Sequence, residues 1–360
     1  MNGEKKIKVF VAMSGGVDSS VAAFLLKEKG YDVTGAHMIC WDGCDTKDDR
    51  RDAMRVAQKI GIPFLIFDFR KEYRESVFDY MIREYAAGRT PNPDVICNSE
   101  IKFGIFLEKA LEMGADHIAT GHYARIKNQE LRIKILEAKD KSKDQCYFLC
   151  RLTQEQISRV IFPIGDLLKS EVREIARKAS LQTAEKKDSQ GLCFIGKLDF
   201  QDFLRGEIAC HEGQVINSRG EILGTHDGVE FFTPGQRHGI KLGGFEEPLY
   251  VAEKKSETNT LIVAEGDKDP ILYKKEIEIE DINWISEEPE LPFICDVRIR
   301  YRQPLQKAQI MINESGIKNK AVNLKSRFLI RFEAPQRGVA SGQFAALYND
   351  EVLLGGAVIQ

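Results

Sequence analysis

Between residue 7 and about residue 200, short β-branched or aromatic runs alternate with helical stretches, and this alternation constrains the fold more than any other feature of the chain. "KVFVAM", "DVTGAHMI", "PFLIFDF" and "DHIATG" read as strands. "VAAFLLKEKG", "DDRRDAMRVAQKIG", "EYRESVFDYMIREYAAG" and "SEIKFGIFLEKALEMG" read as helices, each closed by glycine. Strands separated by helical crossovers pair in parallel, so the expected class is α/β with a doubly wound parallel sheet. Ligands of such sheets bind beyond the carboxyl ends of the strands, where Ser14 and Gly121 fall. A further helix, "LLKSEVREIARKASL", precedes the polar run "TAEKKDSQG" and Cys193.

The texture changes after about residue 205. "GQVINSRGEILGTHDG" and "PLYVAEKKSETNTLIVAEG" are short strands with glycine turns, expected to form a small β-rich middle domain over 206–268. From 269 to 360 the strands lengthen and alternate, as in "KKEIEIEDINWI", "FICDVRIRYRQ", "RFLIRFEAP" and "EVLLGGAVI", which suggests a barrel or sandwich. With 1–205 as the first domain, three domains suit a length of 360 residues.

No stretch approaches the ~18 consecutive apolar residues of a membrane span, and the apolar run near the basic N-terminus breaks at Ser14-Gly15-Gly16. A cytoplasmic protein without a membrane partner is expected. Eight cysteines in 360 residues are too sparse for a disulfide scaffold. A formal net charge of -3 offers nucleic acid no global attraction, so any such site must be a local basic patch. Residues 125–144 supply one, with seven Lys/Arg against four acids, although a solvated face is the plainer reading of such a run.

Ser14-Gly15-Gly16-Val17-Asp18-Ser19-Ser20 follows a strand and opens a helix, aiming backbone N–H groups and the positive helix end at an anion. The lysine of a nucleoside-triphosphatase loop is missing. Asp18 instead places a carboxylate in the first turn, suited to Mg²⁺ beside a polyphosphate. In "GRTPNPDVICNSEIKF" Pro91 and Pro93 fix an extended segment, and Asp94 and Cys97 stand three apart at a helix start, which would favour a thiolate. Read blandly, Asp94 is a helix cap and Cys97 a buried thiol. Cys193 lies in a second polar loop, "KKDSQGLCFIG".

S-G-G-x-D-S resembles the signature of the PP-loop ATP pyrophosphatases, which attach AMP to a substrate and release pyrophosphate. "AMSGGVDSSVAAFLL", "NPDVICNSEIKF", "ATGHYARI", "KDQCYFL", "FPIGDLLKSEVREIA", "KKDSQGLCFIG", "TPGQRHG" and "RYRQP" together resemble, in order and over essentially the whole chain, the tRNA-specific 2-thiouridylase family. The resemblance implies a nucleotide-binding domain, a small central domain and a C-terminal β-barrel. It implies ATP binding at Ala12, Met13, Ser14, Gly15, Gly16, Val17, Asp18, Ser19, Met38 and Gly121. By the same resemblance Cys193 carries a transient persulfide, Cys97 is the nucleophile that helps deliver its sulfur, a Cys97–Cys193 disulfide ends the cycle, and Asp94 is the general acid/base. Asn92, Pro93 and Asp94 match the segment facing the target base; Lys143, Asp144, Gln145, His122, Arg300, Tyr301 and Gln343 match tRNA contacts. The implied partners are tRNAs for lysine, glutamate and glutamine, and a cysteine desulfurase or sulfur-relay protein.

The stretch "HMICWDGCDTKDD" departs from the more charged one expected in the family. Cys40, Cys44 and Cys97 could in principle ligate an iron–sulfur cluster, which is not favoured because no second cysteine or histidine pair accompanies them. Cys146 and Cys150 read as structural thiols sharing a helix face. Two rival readings remain at this point: a PP-loop ligase or amidotransferase acting on a small metabolite, which needs neither cysteine loop, and a non-catalytic tRNA-binding protein, which needs no intact S-G-G-x-D-S.

Overall fold

The computed structural model describes residues 6–42, 46–129, 132–188, 200–285, 287–313 and 328–360. In the first part of the chain, β1 (Lys8–Ala12), α1 (Val17–Glu28), β2 (Asp32–Ile39), α2 (Thr46–Ile60), β3 (Phe64–Asp68), β4 (His117–Ala119) and β7 (Val160–Ile161) build a parallel sheet of order β3-β2-β1-β4-β7. The expected α/β class and strand assignments hold. Phe10 and Ala12 of β1 enter one hydrophobic core while Val9 and Val11 enter another on the opposite face. A strand covered on both faces has no polar side, which is why "VFVA" reads as a continuous apolar run. The chain leaves β1 to form β2 on one side and β4 on the other, so the crevice between the ends of β1 and β4 is the switch point of the sheet.

Two expected helices are not regular. Residues 70–86 and 93–112 each contain a π-helical stretch, Arg74–Phe78 and Cys97–Ile105. Their hydrogen bonds run to the fifth residue, a register that periodicity of apolar positions does not distinguish from α-helix. Gly104 serves the second stretch, since a Cβ there would lie 2.8 Å from the Ser99 carbonyl oxygen.

β8 (Gly213–Asn217), β9 (Ile222–His226), β10 (Leu249–Lys255) and β11 (Thr260–Glu265) form a separate sheet of order β10-β11-β8-β9. β12 (Tyr273–Trp284), β13 (Phe293–Arg298), β14 (Gln306–Ile312), β15 (Phe328–Arg337), β16 (Phe344–Asn349) and β17 (Val352–Ile359) pair in the order β12-β15-β14-β13-β16-β17, and β12 also pairs with β17. That last pairing closes a six-stranded barrel filled by Ile279, Val297, Ile310, Ile330, Phe332, Leu347 and Ile359. β12 reaches both neighbours by an irregularity between Glu280 and Asn283, where Asp281 has φ 54°. Arg151 from the first part of the chain holds that turn, donating to the Asp281 carbonyl and carboxylate at 2.6 and 2.9 Å.

The hairpin β5 (Ala124–Gln129) and β6 (Arg132–Glu137) follows β4 in sequence yet extends the barrel sheet, with β6 antiparallel to β17. Arg298 locks this join: its guanidinium lies 3.0 Å from Glu137 and 3.3 Å from Asp144, and stacks 5.2 Å from the Tyr348 ring. The basic run read from residues 125–144 is thus largely a strand pair docked on the barrel.

Candidate active site

β1 ends at Ala12 and α1 begins at Val17, leaving Met13–Gly16 as the loop. Met13 is fixed by sheet-like bonds: its N–H donates to Ala36 O at 2.7 Å and its carbonyl accepts from His37 Nδ1 at 2.9 Å. The donation places the proton on Nδ1, and burial lowers the His37 pKa, so the ring is neutral at pH 7. Gly15 has φ 81° and its Cα abuts the Asp49 backbone, a conformation and a packing that both exclude a side chain. Ser14 N donates to Ser19 Oγ at 3.2 Å and Ser20 Oγ donates to Gly16 O at 2.7 Å, so hydroxyls of the first turn brace the loop from below. Ala12, Met13, Val17 and Met38 are buried behind it, and the Ser14 side is exposed.

Gly121 forms the other wall. A Cβ there would lie 2.6 Å from Ser19 N and 2.7 Å from the Asp18 carbonyl carbon, so glycine lets the end of β4 lie directly against the first turn of α1. An anion at that turn meets backbone N–H groups from a bare-walled crevice, the arrangement a polyphosphate requires.

Asp18 is the centre of the charge arrangement. Its carboxylate accepts from Tyr123 OH at 2.9 Å and from Lys169 Nζ at 2.7 and 2.8 Å. Lys169 also lies 2.9 Å from Asp188, which is held by Lys143 at 2.8 Å and Arg173 at 2.9 Å. Burial alone would raise the Asp188 pKa, but hydrogen bonds from Lys143 and Lys169 prevail and bring it to about 2.

The second element is the turn Pro93–Ile96. Asn92 caps it, accepting from Val95 N at 3.4 Å, so Asp94 lies inside the turn rather than at the cap position. Cys97 follows, fully buried, as the first residue of the π-helical stretch. Phe103 of that stretch packs against His122 and Phe162, with ring centroids 5.6 and 6.0 Å apart, which joins the Cys97 helix to the end of β4. His122 is buried, its Nδ1 is 2.7 Å from Thr120 Oγ1, and burial drives its pKa far down.

The segment 89–94 is clamped by the barrel. Thr90 N donates to Ser341 O at 2.7 Å; Gln343 Nε2 donates to Thr90 O and Pro91 O, both at 3.0 Å, and its Oε1 accepts from Asn92 Nδ2 at 3.2 Å. From the middle sheet, Lys254 reaches Thr90 Oγ1 at 3.4 Å.

Other residues expected to meet tRNA divide into two kinds. Lys143 lines a cleft of about 560 Å³, together with Lys141, Ser142, Arg298, Arg302 and Gln303, none of which the resemblance assigns to tRNA. Asp144 lines the same cleft, but its carboxylate accepts from Ala138 N at 2.9 Å and pairs with Arg298. Gln145 Oε1 accepts from Tyr123 N at 3.0 Å, fixing the residue that touches Asp18. Arg300 donates to the Pro234 carbonyl and is flanked by Gly235 and Gly338, while Tyr301 packs on Phe148 with centroids 4.5 Å apart. Cys193 and Cys44 lie outside the described residues. Among the described residues no group of three or more His, Cys, Asp or Glu side chains is arranged to hold a metal ion, and no helix is long and apolar enough to cross a membrane.

Lys169, Tyr123 and Asp188 were not singled out in the sequence. One signal was available: Lys169 stands at the first position of the helix Lys169–Lys178, where the helix dipole disfavours a cation, so an acidic partner had to be supplied from elsewhere.

A parallel sheet whose switch point carries S-G-G-x-D-S defines a PP-loop, ATP-using enzyme. Residues 7–197 match the family model described as "tRNA methyl transferase HUP domain", 201–265 the "tRNA methyl transferase PRC-barrel domain" and 274–359 the "Aminomethyltransferase beta-barrel domain". The tRNA-specific 2-thiouridylase MnmA of Geobacillus thermodenitrificans is 46% identical over 98% of this chain and 94% of the relative. Its counterpart from Bacillus subtilis is 44% identical over the same shares. The U34-tRNA thiolase NcsA from Methanococcus maripaludis, a solved structure with a [4Fe-4S] cluster, is 20% identical over 56% of this chain and 64% of that one, with a TM-score of 0.37. The chain belongs to the tRNA-specific 2-thiouridylase family.

Proposed function

We propose that the protein makes 2-thiouridine at position 34 of tRNA, activating the C2 oxygen of the base with ATP and replacing it with sulfur from a cysteine persulfide. Full-length membership of the family carries this reading, and the joining of the S-G-G-x-D-S crevice to the Asn92–Cys97 turn through Phe103 and His122 supports it.

Oxygen bound to C2 of uracil is a poor leaving group. Attack of that oxygen on the α-phosphorus of ATP forms an O–P bond, breaks the bond to the β-phosphate oxygen and sends the electron pair out with pyrophosphate. The loop from Ser14 to Ser19 and Gly121 would hold the nucleotide. Mg²⁺, when bound, would be held by Asp18 and supplies charge neutralisation on the phosphate oxygens. The uridine must leave its stack for C2 to be reached, and Asn92, Pro93 and Asp94 would face it. The terminal sulfur of a Cys193 persulfide then bonds to C2 and AMP departs. Attack of the Cys97 thiolate on the Cys193 sulfur breaks the S–S bond, leaves sulfur on C2 and forms a Cys97–Cys193 disulfide, which two electrons from a thiol reductant reopen. Asp94, three residues before Cys97, would exchange protons with the base and the thiol. The cleft beside Lys143 and Arg302 would take the tRNA backbone. tRNAs for lysine, glutamate and glutamine are the proposed substrates, a cysteine desulfurase or sulfur-relay protein the proposed donor, and the cytoplasm the proposed location.

The test is reconstitution with unmodified tRNA, ATP, Mg²⁺ and a desulfurase with cysteine, followed by mass spectrometry of the nucleosides. Thiouridine forms with the wild type and is lost in Cys97→Ser and Cys193→Ser. ATP cleavage without tRNA and without any thiolated base would establish the small-metabolite ligase instead.

A further inference from the structure

The loop between β1 and α1 has no lysine of its own, yet a lysine ammonium stands at its mouth. Lys169 is 151 residues from Asp18 in sequence, its side chain is only 12% exposed, and its Nζ donates to both oxygens of Asp18. The same Nζ lies 5.7 Å from the Tyr123 ring, two residues beyond Gly121. It therefore sits between the two walls of the switch-point crevice, on the first turn of α1 where an anion would enter. The placement is maintained against the dipole of its own helix: Lys169 N is tied to Asp140 at 3.0 Å and Leu168 N to Glu171 at 2.6 Å, so the helix start is anchored by carboxylates on either side of the lysine. Three carboxylate contacts, to Asp18 twice and Asp188 once, take up its donors.

We propose that Lys169 is the phosphate-binding lysine of this enzyme, supplied by a distant helix, and that its ammonium passes from Asp18 to the β- and γ-phosphate oxygens when Mg²⁺ and ATP enter. The inference rests on the reading of the crevice as an ATP site. The exchange conserves charge: the ammonium gives up one carboxylate for phosphate oxygens, and the vacated Asp18 carboxylate would then be available to hold Mg²⁺. When the O–P bond to the base forms and the bond to the β-phosphate oxygen breaks, the electron pair moves onto pyrophosphate, and a cation against that group stabilises it more as its charge grows. A loop that must release pyrophosphate after each turn is served by a lysine with a resting partner, since Asp18 receives it back.

The experiment is calorimetric titration of the full chain with three probes at fixed Mg²⁺: α,β-methylene-ATP, pyrophosphate and AMP. Lys169→Met is expected to weaken the first two by roughly 10- to 100-fold, the loss of one charge-assisted contact, and to leave AMP within about threefold. Lys169→Arg is expected to recover most of the lost pyrophosphate affinity. Equal weakening of AMP and pyrophosphate would overturn the proposal, because it would show Lys169 only shaping the loop through Asp18; unchanged pyrophosphate affinity would overturn it too. Should Lys169→Met fail to fold with Asp18 left without its cation, Lys169→Gln keeps a donor to Asp18 without charge and gives the same comparison. Wild-type thiolation of tRNA separates the two readings: its absence together with a Lys169-dependent pyrophosphate site would reject the tRNA reading and keep this one.

Discussion

Asp188 shows how far one residue can be read. In sequence it is an acid in the polar run "KKDSQG"; in the fold three cations converge on it, from Lys143, Lys169 and Arg173. Lys169 and Arg173 stand one turn apart on the helix Lys169–Lys178 and Lys143 comes from a separate turn; no spacing rule links positions 45, 19 and 15 residues away to Asp188, so this site was not legible, whereas the S-G-G-x-D-S loop, entirely local, was. The network has a pH signature. The Asp188 pKa is about 2 in the folded protein against 3.8 ordinarily, so its contribution to stability is complete above about pH 4 and is lost as pH falls through about 2. The difference corresponds to roughly 2 kcal/mol, discounted to about 1 kcal/mol because the side chain is partly exposed. Asp188→Asn is therefore expected to be about 1 kcal/mol less stable than wild type in urea unfolding at pH 6, with the gap narrowing toward pH 2.5. A gap of the same size at both pH values would mean that the aspartate contributes by shape rather than charge.

At the scale of elements, the strands of the parallel sheet could be read because burial on both faces writes itself into contiguous apolar sequence. The π-helical stretches could not, since one extra residue per turn leaves the composition unchanged. The segment 89–94 lies between these cases: its prolines marked it as extended, but the barrel residue that holds it is some 250 positions away. Gln343 spends both donors on the Thr90 and Pro91 carbonyls and its acceptor on Asn92 and Tyr147. The family resemblance implies a tRNA contact for Gln343; its hydrogen bonds fit a role in positioning Asn92–Asp94. Gln343→Ala is then expected to lower the single-turnover rate of thiolation about tenfold, the effect of a small displacement of reacting groups, while tRNA affinity stays within about threefold. Gln343→Glu should be no better, because a carboxylate would face two carbonyl oxygens. A loss confined to tRNA affinity, with the rate of bound complex intact, would favour direct contact.

For the whole molecule, the net charge of -3 repels rather than attracts RNA, so the cleft lined by Lys141, Lys143, Arg298 and Arg302 has to do its work locally. These four cations are not equivalent. Arg298 is committed to Glu137 and Asp144, where it joins the β5–β6 hairpin to the barrel, and Lys143 is committed to Asp188. Lys141 pairs with Glu137 and Glu351 at 3.0 Å each. Arg302 is exposed, with φ 64° turning it outward after Tyr301, and stacks 5.1 Å from that ring. It is the cation of this cleft most available to a phosphate. A backbone contact of that kind carries no sequence information and releases about one counterion. Arg302→Ala is accordingly expected to weaken binding of every tRNA by a similar factor at low salt and to reduce the slope of log affinity against log salt concentration by about one. Filter binding or fluorescence titration across a range of salt concentrations measures both. A loss that differs between tRNAs, with an unchanged slope, would place Arg302 against a base and move the backbone contact to another part of the cleft.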